Sequence, residues 1–127
     1  MATGTFEGGA LHVALTAATT TTGGGVLSIA NPEGVDLYVT RLVLNISTQS
    51  TGAATVDGGI AADGTTSSDT LIDGKSVATA GVFDNIKDGG TNGKAGQKWG
   101  ASQYLTITAS ATTAGMVGEA IISYLPL

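Results

Sequence analysis

The 127-residue sequence predicts an all-β fold, an antiparallel β-sandwich of about eight strands with a jelly-roll-like arrangement. Three observations carry this. No segment repeats its apolar residues at a helical period, whereas short runs rich in Val, Ile, Leu, Thr and Tyr alternate at period two. Those runs are separated by turn signals about every ten residues, the rhythm of a sandwich or barrel. The turn signals draw on 20 glycines, well above the usual share of about 7%. An immunoglobulin-like sandwich is the competing arrangement, and its Cys–Trp–Cys pattern is missing from a chain without cysteine.

Taken in order, Leu11, Val13 and Leu15 alternate in a first strand. The low-complexity "TTTTGGG" then reads as a flexible connection, so residues 1–25 are expected to form an N-terminal strand or arm and residues 26–127 the sandwich. "VLSIA" is the next strand, and "NPEG" at Asn31–Gly34 is a turn in which Pro32 presets φ and Gly34 supplies conformational freedom. The long run "VDLYVTRLVLNI" follows. Val35, Leu37, Val39, Arg41, Val43 and Asn45 share one parity; Asp36, Tyr38, Thr40, Leu42, Leu44 and Ile46 share the other. Neither set is clearly polar, which is unusual for a strand with one wet face. In "AATVDGGIAA", Ala54, Val56, Ile60 and Ala62 share a parity, and Gly58-Gly59 marks a bulge or the close approach of another backbone.

Asp63-Gly64, Asp73-Gly74, Asp88-Gly89 and Asn92-Gly93 are turn signals. "SSDTLIDG" between them suits a single helical turn capped by Ser67 or Ser68 that buries Leu71 and Ile72. "AGVFDNI" is a strand with Val82 and Phe83 towards the core, and residues 87–100 form a polar, glycine-rich loop closed by Trp99. The last two strands, "QYLTITA" and "MVGEAIISYL", are joined by a hairpin at "SATTAG". The final strand again has two partly apolar faces, with Val117, Ile121 and Leu125 opposite Met116, Ala120, Ile122 and Tyr124.

The formal net charge of −5 and the lack of a Lys/Arg stripe argue against nucleic acid as a partner. No apolar run approaches the ~20 residues of a membrane span, and the N-terminus lacks the pattern of a secretion signal. The absence of cysteine removes disulfides, thiolate metal sites and a cysteine nucleophile. Catalytic chemistry is equally sparse. His12 is the single histidine, no G-x-S-x-G elbow is present, and "GTNGKAGQKWG" departs from the phosphate-loop pattern. Asp57, Asp63, Asp69 and Asp73 recur through loops but do not match a calcium loop, so turn chemistry accounts for them better than a metal. No cofactor is expected.

Interaction residues are easier to nominate. Arg41 is the one arginine, in mid-strand among valines. An unpaired buried guanidinium would cost several kcal/mol, so it is expected either to meet a carboxylate on a second subunit, in an interface with Tyr38 and Val43, or to reach solvent from an edge strand. Lys75, Lys87, Lys94 and Lys98 are the local positive cluster of an acidic chain, fit to dock on an acidic surface. Trp99 and Tyr104, with Tyr38 and Tyr124, close the core, fill an interface or, alternatively, offer a sugar-stacking platform.

Residues 26–125, with "NPEGVDLYVTRLVLNISTQSTGAATVDGGIAADGTTSSDTLIDG", "AGVFDNI…GTNGK" and "YLTITASATTAGMVGEAIISYL", resemble head decoration, or cement, proteins of tailed bacteriophages. The resemblance implies a non-enzymatic β-sandwich virion protein. It would sit on the capsid exterior, assemble in the host bacterial cytoplasm, and have the major capsid protein and its own homotrimer as partners. The interface nominated from the residues themselves comprises Tyr38, Arg41, Val43, Lys94, Lys98, Trp99 and Tyr124. The alternative is a carbohydrate- or receptor-binding module of a head fibre or tail appendage.

Overall fold

The computed structural model describes residues 9–127. The N-terminal part of the expected arm, residues 1–8, lies outside the described residues. Nine strands form two antiparallel sheets: β1 (Gly9–Ala14), β2 (Leu27–Ala30), β3 (Leu37–Thr48), β4 (Thr55–Ala61), β5 (Ile72–Ser76), β6 (Gly81–Asp84), β7 (Gln97–Trp99), β8 (Tyr104–Ala109) and β9 (Val117–Pro126). One sheet has the order β1-β9-β3-β6, with the short β7 also paired to β3; the other has the order β2-β8-β4-β5. With β7 set aside, these are the two four-stranded sheets of a jelly roll. The fold class read from the sequence therefore holds, with one strand more than the loop-like 87–100 stretch indicated.

The core lies between the sheets. Leu105, Ile107 and Ala109 of β8 face Leu42, Leu44 and Ile46 of β3 and Ala120 and Ile122 of β9 across it, all almost fully buried. Trp99, the largest buried side chain, meets Tyr124 edge-on at 6.5 Å between ring centroids. Its indole N–H donates to the Gln103 carbonyl at 3.0 Å, so burial leaves no polar atom unmet there.

The ambiguous parity of β3 has a local cause. Val39 pairs with Tyr124 and Arg41 with Ser123, so two steps along β3 match one along β9, and Thr40 is the extra residue of a bulge. Its hydroxyl donates to the Ser123 carbonyl at 3.2 Å. Because side chains alternate strictly, one extra residue exchanges the faces. Leu37 and Val39 point inward before the bulge, and Leu42, Leu44 and Ile46 point inward after it. The two apolar sets are thus one core face read across a register shift. β9 has no such interruption between Gly118 and Ser123, so its second apolar set points outward.

Several local expectations change. The helical turn at Ser67–Asp69 is absent: these residues run as an irregular loop whose chain lies against Gly59, although Leu71 and Ile72 are buried as expected. A Cβ on Gly59 would stand 2.7 Å from the Thr70 backbone nitrogen, which explains the glycine by close approach. The bulge sits instead on β5, where Asp73 and Gly74 occupy the step between Val56–Lys75 and Gly58–Ile72. Gly74 takes φ +73° there, so Asp73-Gly74 is a strand irregularity and not a hairpin turn. Val82 is exposed, since the even positions of β6 face away from the core. "SATTAG" carries the chain from one sheet to the other and is not a hairpin, because β8 and β9 belong to different sheets.

Candidate interaction surface

The two outer faces of the sandwich differ. On the β2-β8-β4-β5 sheet, the outward Thr106 and Thr108 are buried by the chain's own loops. The Thr106 hydroxyl donates to the Thr66 carbonyl, and Thr108 Oγ1 accepts from the Gly24 N–H. Ser28 Oγ likewise donates to the Gly64 carbonyl, fastening the 62–70 loop over this face. Threonine suits such positions because it satisfies β-propensity and a roof's backbone groups together.

Among the described residues, no equivalent roof covers the β1-β9-β3-β6 sheet. β9 presents Val117, Ile121 and Leu125; β3 presents Tyr38, Arg41 and Val43; β6 presents Val82. Val117 and Val82 are each 56% exposed, and Leu125 and Tyr38 are exposed as well. Val43 pairs with Ile121 in the middle of the face, and both are half-buried. A shallow cavity of about 260 Å³ lies beside it, lined by Ala14, Asn45, Ser47, Val117, Gly118 and Glu119.

Arg41, Lys98 and Lys75 are each paired with a carboxylate of the chain, whereas Glu119, beside Val117 and Ile121 on the open face, has no ion-pair partner among the described residues. Arg41 Nη2 lies 2.9 Å from Asp84 Oδ2, with the arginine half exposed and the aspartate side chain only 8% exposed. Asp84 Oδ1 also accepts from the Ile86 and Lys87 N–H groups. Those bonds, the Lys87 one first, and the guanidinium hold the Asp84 carboxyl below its ordinary value against the opposing effect of burial. Lys98 pairs with Asp36 at 3.2 Å, and Lys75 with Asp88 at 3.2 Å while stacking over Phe83. The Ala101 N–H and Lys98 together lower the Asp36 carboxyl.

Of the residues nominated from sequence, Tyr38, Arg41, Val43 and Lys98 come together on the open face. Tyr38 and Lys98 are direct cross-strand partners. Lys94 is exposed on the 87–96 loop, held by its backbone to Thr70 and Asn85. Trp99 and Tyr124 lie in the core, so neither ring face of Trp99 is open for a sugar to stack upon. The carboxylate that Arg41 needs is Asp84 of its own chain. Val82 and Leu125 join this face beyond the residues the sequence singles out, and for Leu125 the clean alternation of β9, which sets it apart with Val117 and Ile121, is the signal.

The aspartates brace loops. Asp63 Oδ1 accepts from the Thr65 N–H and from the Thr65 and Thr66 hydroxyls, and Asp57 Oδ1 accepts from the Gly74 N–H. Asp69 and Asp73 bind the side chain and backbone of Asn92. Burial, followed by the neighbouring Asp73 and Asp69, raises the Asp57 carboxyl in spite of the Gly74 bond. No group of three or more His, Asp or Glu residues among the described residues is arranged to hold a metal ion.

No family model matches the sequence, and no curated protein does. Among solved structures, a chain of the capsid of Ralstonia phage GP4 is similar in fold, with a TM-score of 0.57 at 15% identity. The match covers 95% of this chain and 85% of that one. The protein therefore shares its sandwich fold, over nearly its whole length, with a chain of a phage capsid.

Proposed function

We propose that this chain is a structural virion protein, a decoration or cement protein that binds the outer surface of a phage capsid as a homotrimer and stabilises the shell without catalysing a reaction. The observation that carries this reading is the nearly full-length fold likeness to a phage capsid chain. The molecule's surface supports it. One sandwich face is largely covered by the chain's own loops, while the other offers apolar side chains, the paired Arg41 and Lys98, and at its edge the Glu119 carboxylate, unpaired among the described residues. Apolar contact there supplies the gain on association, and pairing spares Arg41 and Lys98 the larger cost of being buried as lone charges.

A protein of this kind works by mass action. Binding to the assembled shell and not to its dispersed subunits adds the binding free energy to the stability of the shell. Three linked copies raise the effective concentration at each site, so a modest contact per chain suffices. The test is co-sedimentation with assembled phage capsid shells, together with light scattering of the free protein. Saturable retention on shells, a higher shell disruption temperature and a mass that is a whole multiple of three times 12.4 kDa are expected. Absence of retention at any concentration would sink the capsid reading, whatever the mass.

A further inference from the structure

The strand β1 is an edge of its sheet, with β9 on one side and no strand among the described residues on the other. Leu15 donates its N–H to the Gly118 carbonyl, which fixes the alternation of the ladder. The odd residues of β1 face β9, and the N–H and C=O groups of Ala10, His12 and Ala14 point away from it. Other edges are short or covered. On β6 the Asp84 N–H is taken by Asp88 Oδ2, and the Asp84 carbonyl by the Asp88 N–H. On β5 the Asp73 N–H is bonded to the Gly89 carbonyl, and β2 has four residues. By contrast β1 is six residues long and carries no charge, no proline and no bulge, the devices that ordinarily guard an edge.

A second observation points the same way. Leu11, Val13 and Leu15 pack against the core but remain half exposed, because the sheet stops at β1 and no described residue flanks them on that side. The edge thus lacks both a hydrogen-bonding partner and the outer cover of its apolar row.

We infer that β1 pairs with β1 of a second copy of this chain, antiparallel and centred on His12, to make one continuous sheet across a two-fold axis. The strand is its own complement. Its outward row, Ala10-His12-Ala14, reads the same in both directions about His12. Pairing therefore sets Ala10 opposite Ala14, where neither methyl obstructs, and Leu11 opposite Val13 on the core side, where each covers the other. No like charges meet. An isologous contact of this type joins pairs, so it is additional to the three-fold clustering proposed above and stands or falls in solution, without capsids.

The native chain has no cysteine, which makes the register directly measurable. His12→Cys places two thiols on directly opposed residues about 5.5 Å apart at Cα, within reach of a disulfide. Under mild oxidation at about 10 µM chain it should cross-link on the order of 100-fold faster than Thr79→Cys on an exposed loop, the ratio expected for a millimolar effective concentration. Ala10→Cys and Ala14→Cys should cross-link when mixed and not alone. His12→Pro removes only an outward N–H and should halve the mass seen by light scattering; His12→Lys, which sets like charges face to face, should do the same if the proline disturbs folding. The inference is overturned if His12→Cys oxidises no faster than Thr79→Cys. It is also overturned if the amides of Ala10, His12 and Ala14 are protected from exchange equally at all dilutions, which would mean that the chain's own residues cover the edge.

Discussion

At the scale of single residues, Asp84 does more for the molecule than the arginine that drew attention to it. Its carboxylate receives the Arg41 guanidinium and two backbone N–H groups while itself almost fully buried. Removing Arg41 leaves two of these three bonds, and a pair with one half-exposed partner contributes below about 1 kcal/mol. Asp84→Ala strips all three and leaves backbone donors without an acceptor, a loss of about 1–3 kcal/mol. Urea unfolding should therefore rank Asp84→Ala well below Arg41→Ala; equal costs would contradict the geometry. The pH dependence has a definite sign. The Asp84 carboxyl is lowered by folding, so its contribution is complete above the unfolded value of about 4 and is lost as pH falls through the folded one. Melting temperatures taken from pH 6 down to pH 2 should decline less steeply in Asp84→Asn than in the native chain. The need of Arg41 for a carboxylate was legible in the sequence, but the identity of that carboxylate was not. The pairing depends on β6 lying beside β3, 43 residues away in sequence, and nothing local specifies that neighbour.

Among elements, β3 shows how one residue decides what a face means. Read as an uninterrupted strand, its sequence has two apolar faces and invites a neighbour for the second. With Thr40 set aside as a bulge, Leu37, Val39, Leu42, Leu44 and Ile46 form one buried row. Leu44→Ala should then cost about 2–5 kcal/mol as a core truncation, whereas Val43→Ala, on the open face and only half-buried, should cost under about 1 kcal/mol. A strand without the bulge would bury Val43 with Leu37 and Val39 and reverse that order, so the pair of melting curves decides the register. β9 and β8 could be read directly because nothing interrupts their alternation. The helical turn expected at Ser67–Asp69 failed for a different reason. A serine cap and two following apolar residues fit a helix or an irregular loop equally well, and the close packing of this segment on Gly59 excludes the helix. Alternation tells inside from outside, but not which strand lies next door. The loop at Ser110–Gly115 was read as a hairpin on that account, when the chain uses it to change sheets.

For the whole molecule, the asymmetry between a roofed face and an open one governs what a partner can hold. Composition had already shown that much of the surface must be Thr, Ser, Gly and Ala. Only the sheet order could show that the threonines of β8 are sealed beneath the 20–25 and 62–70 segments while the valines of β9 and β6 stay in water. If the open face is what meets a capsid, replacing Val117 and Leu125 together by serine should separate binding from folding. Both side chains are at least 45% exposed, so the stability of the free protein should change by no more than about 0.5 kcal/mol per site. Losing apolar contact worth about 1.4 kcal/mol per chain weakens a single site about tenfold, and three copies engaged together compound that loss towards about a thousandfold. Retention on shells should then fall from saturation to near background, with the melting curve of the free protein unmoved. A control pair on the opposite side, Thr21→Ala with Ala62→Ser, both exposed, should leave retention intact. Full retention by the Val117/Leu125 variant would transfer the capsid contact to another surface, with the exposed loop around Lys94 the next to be altered.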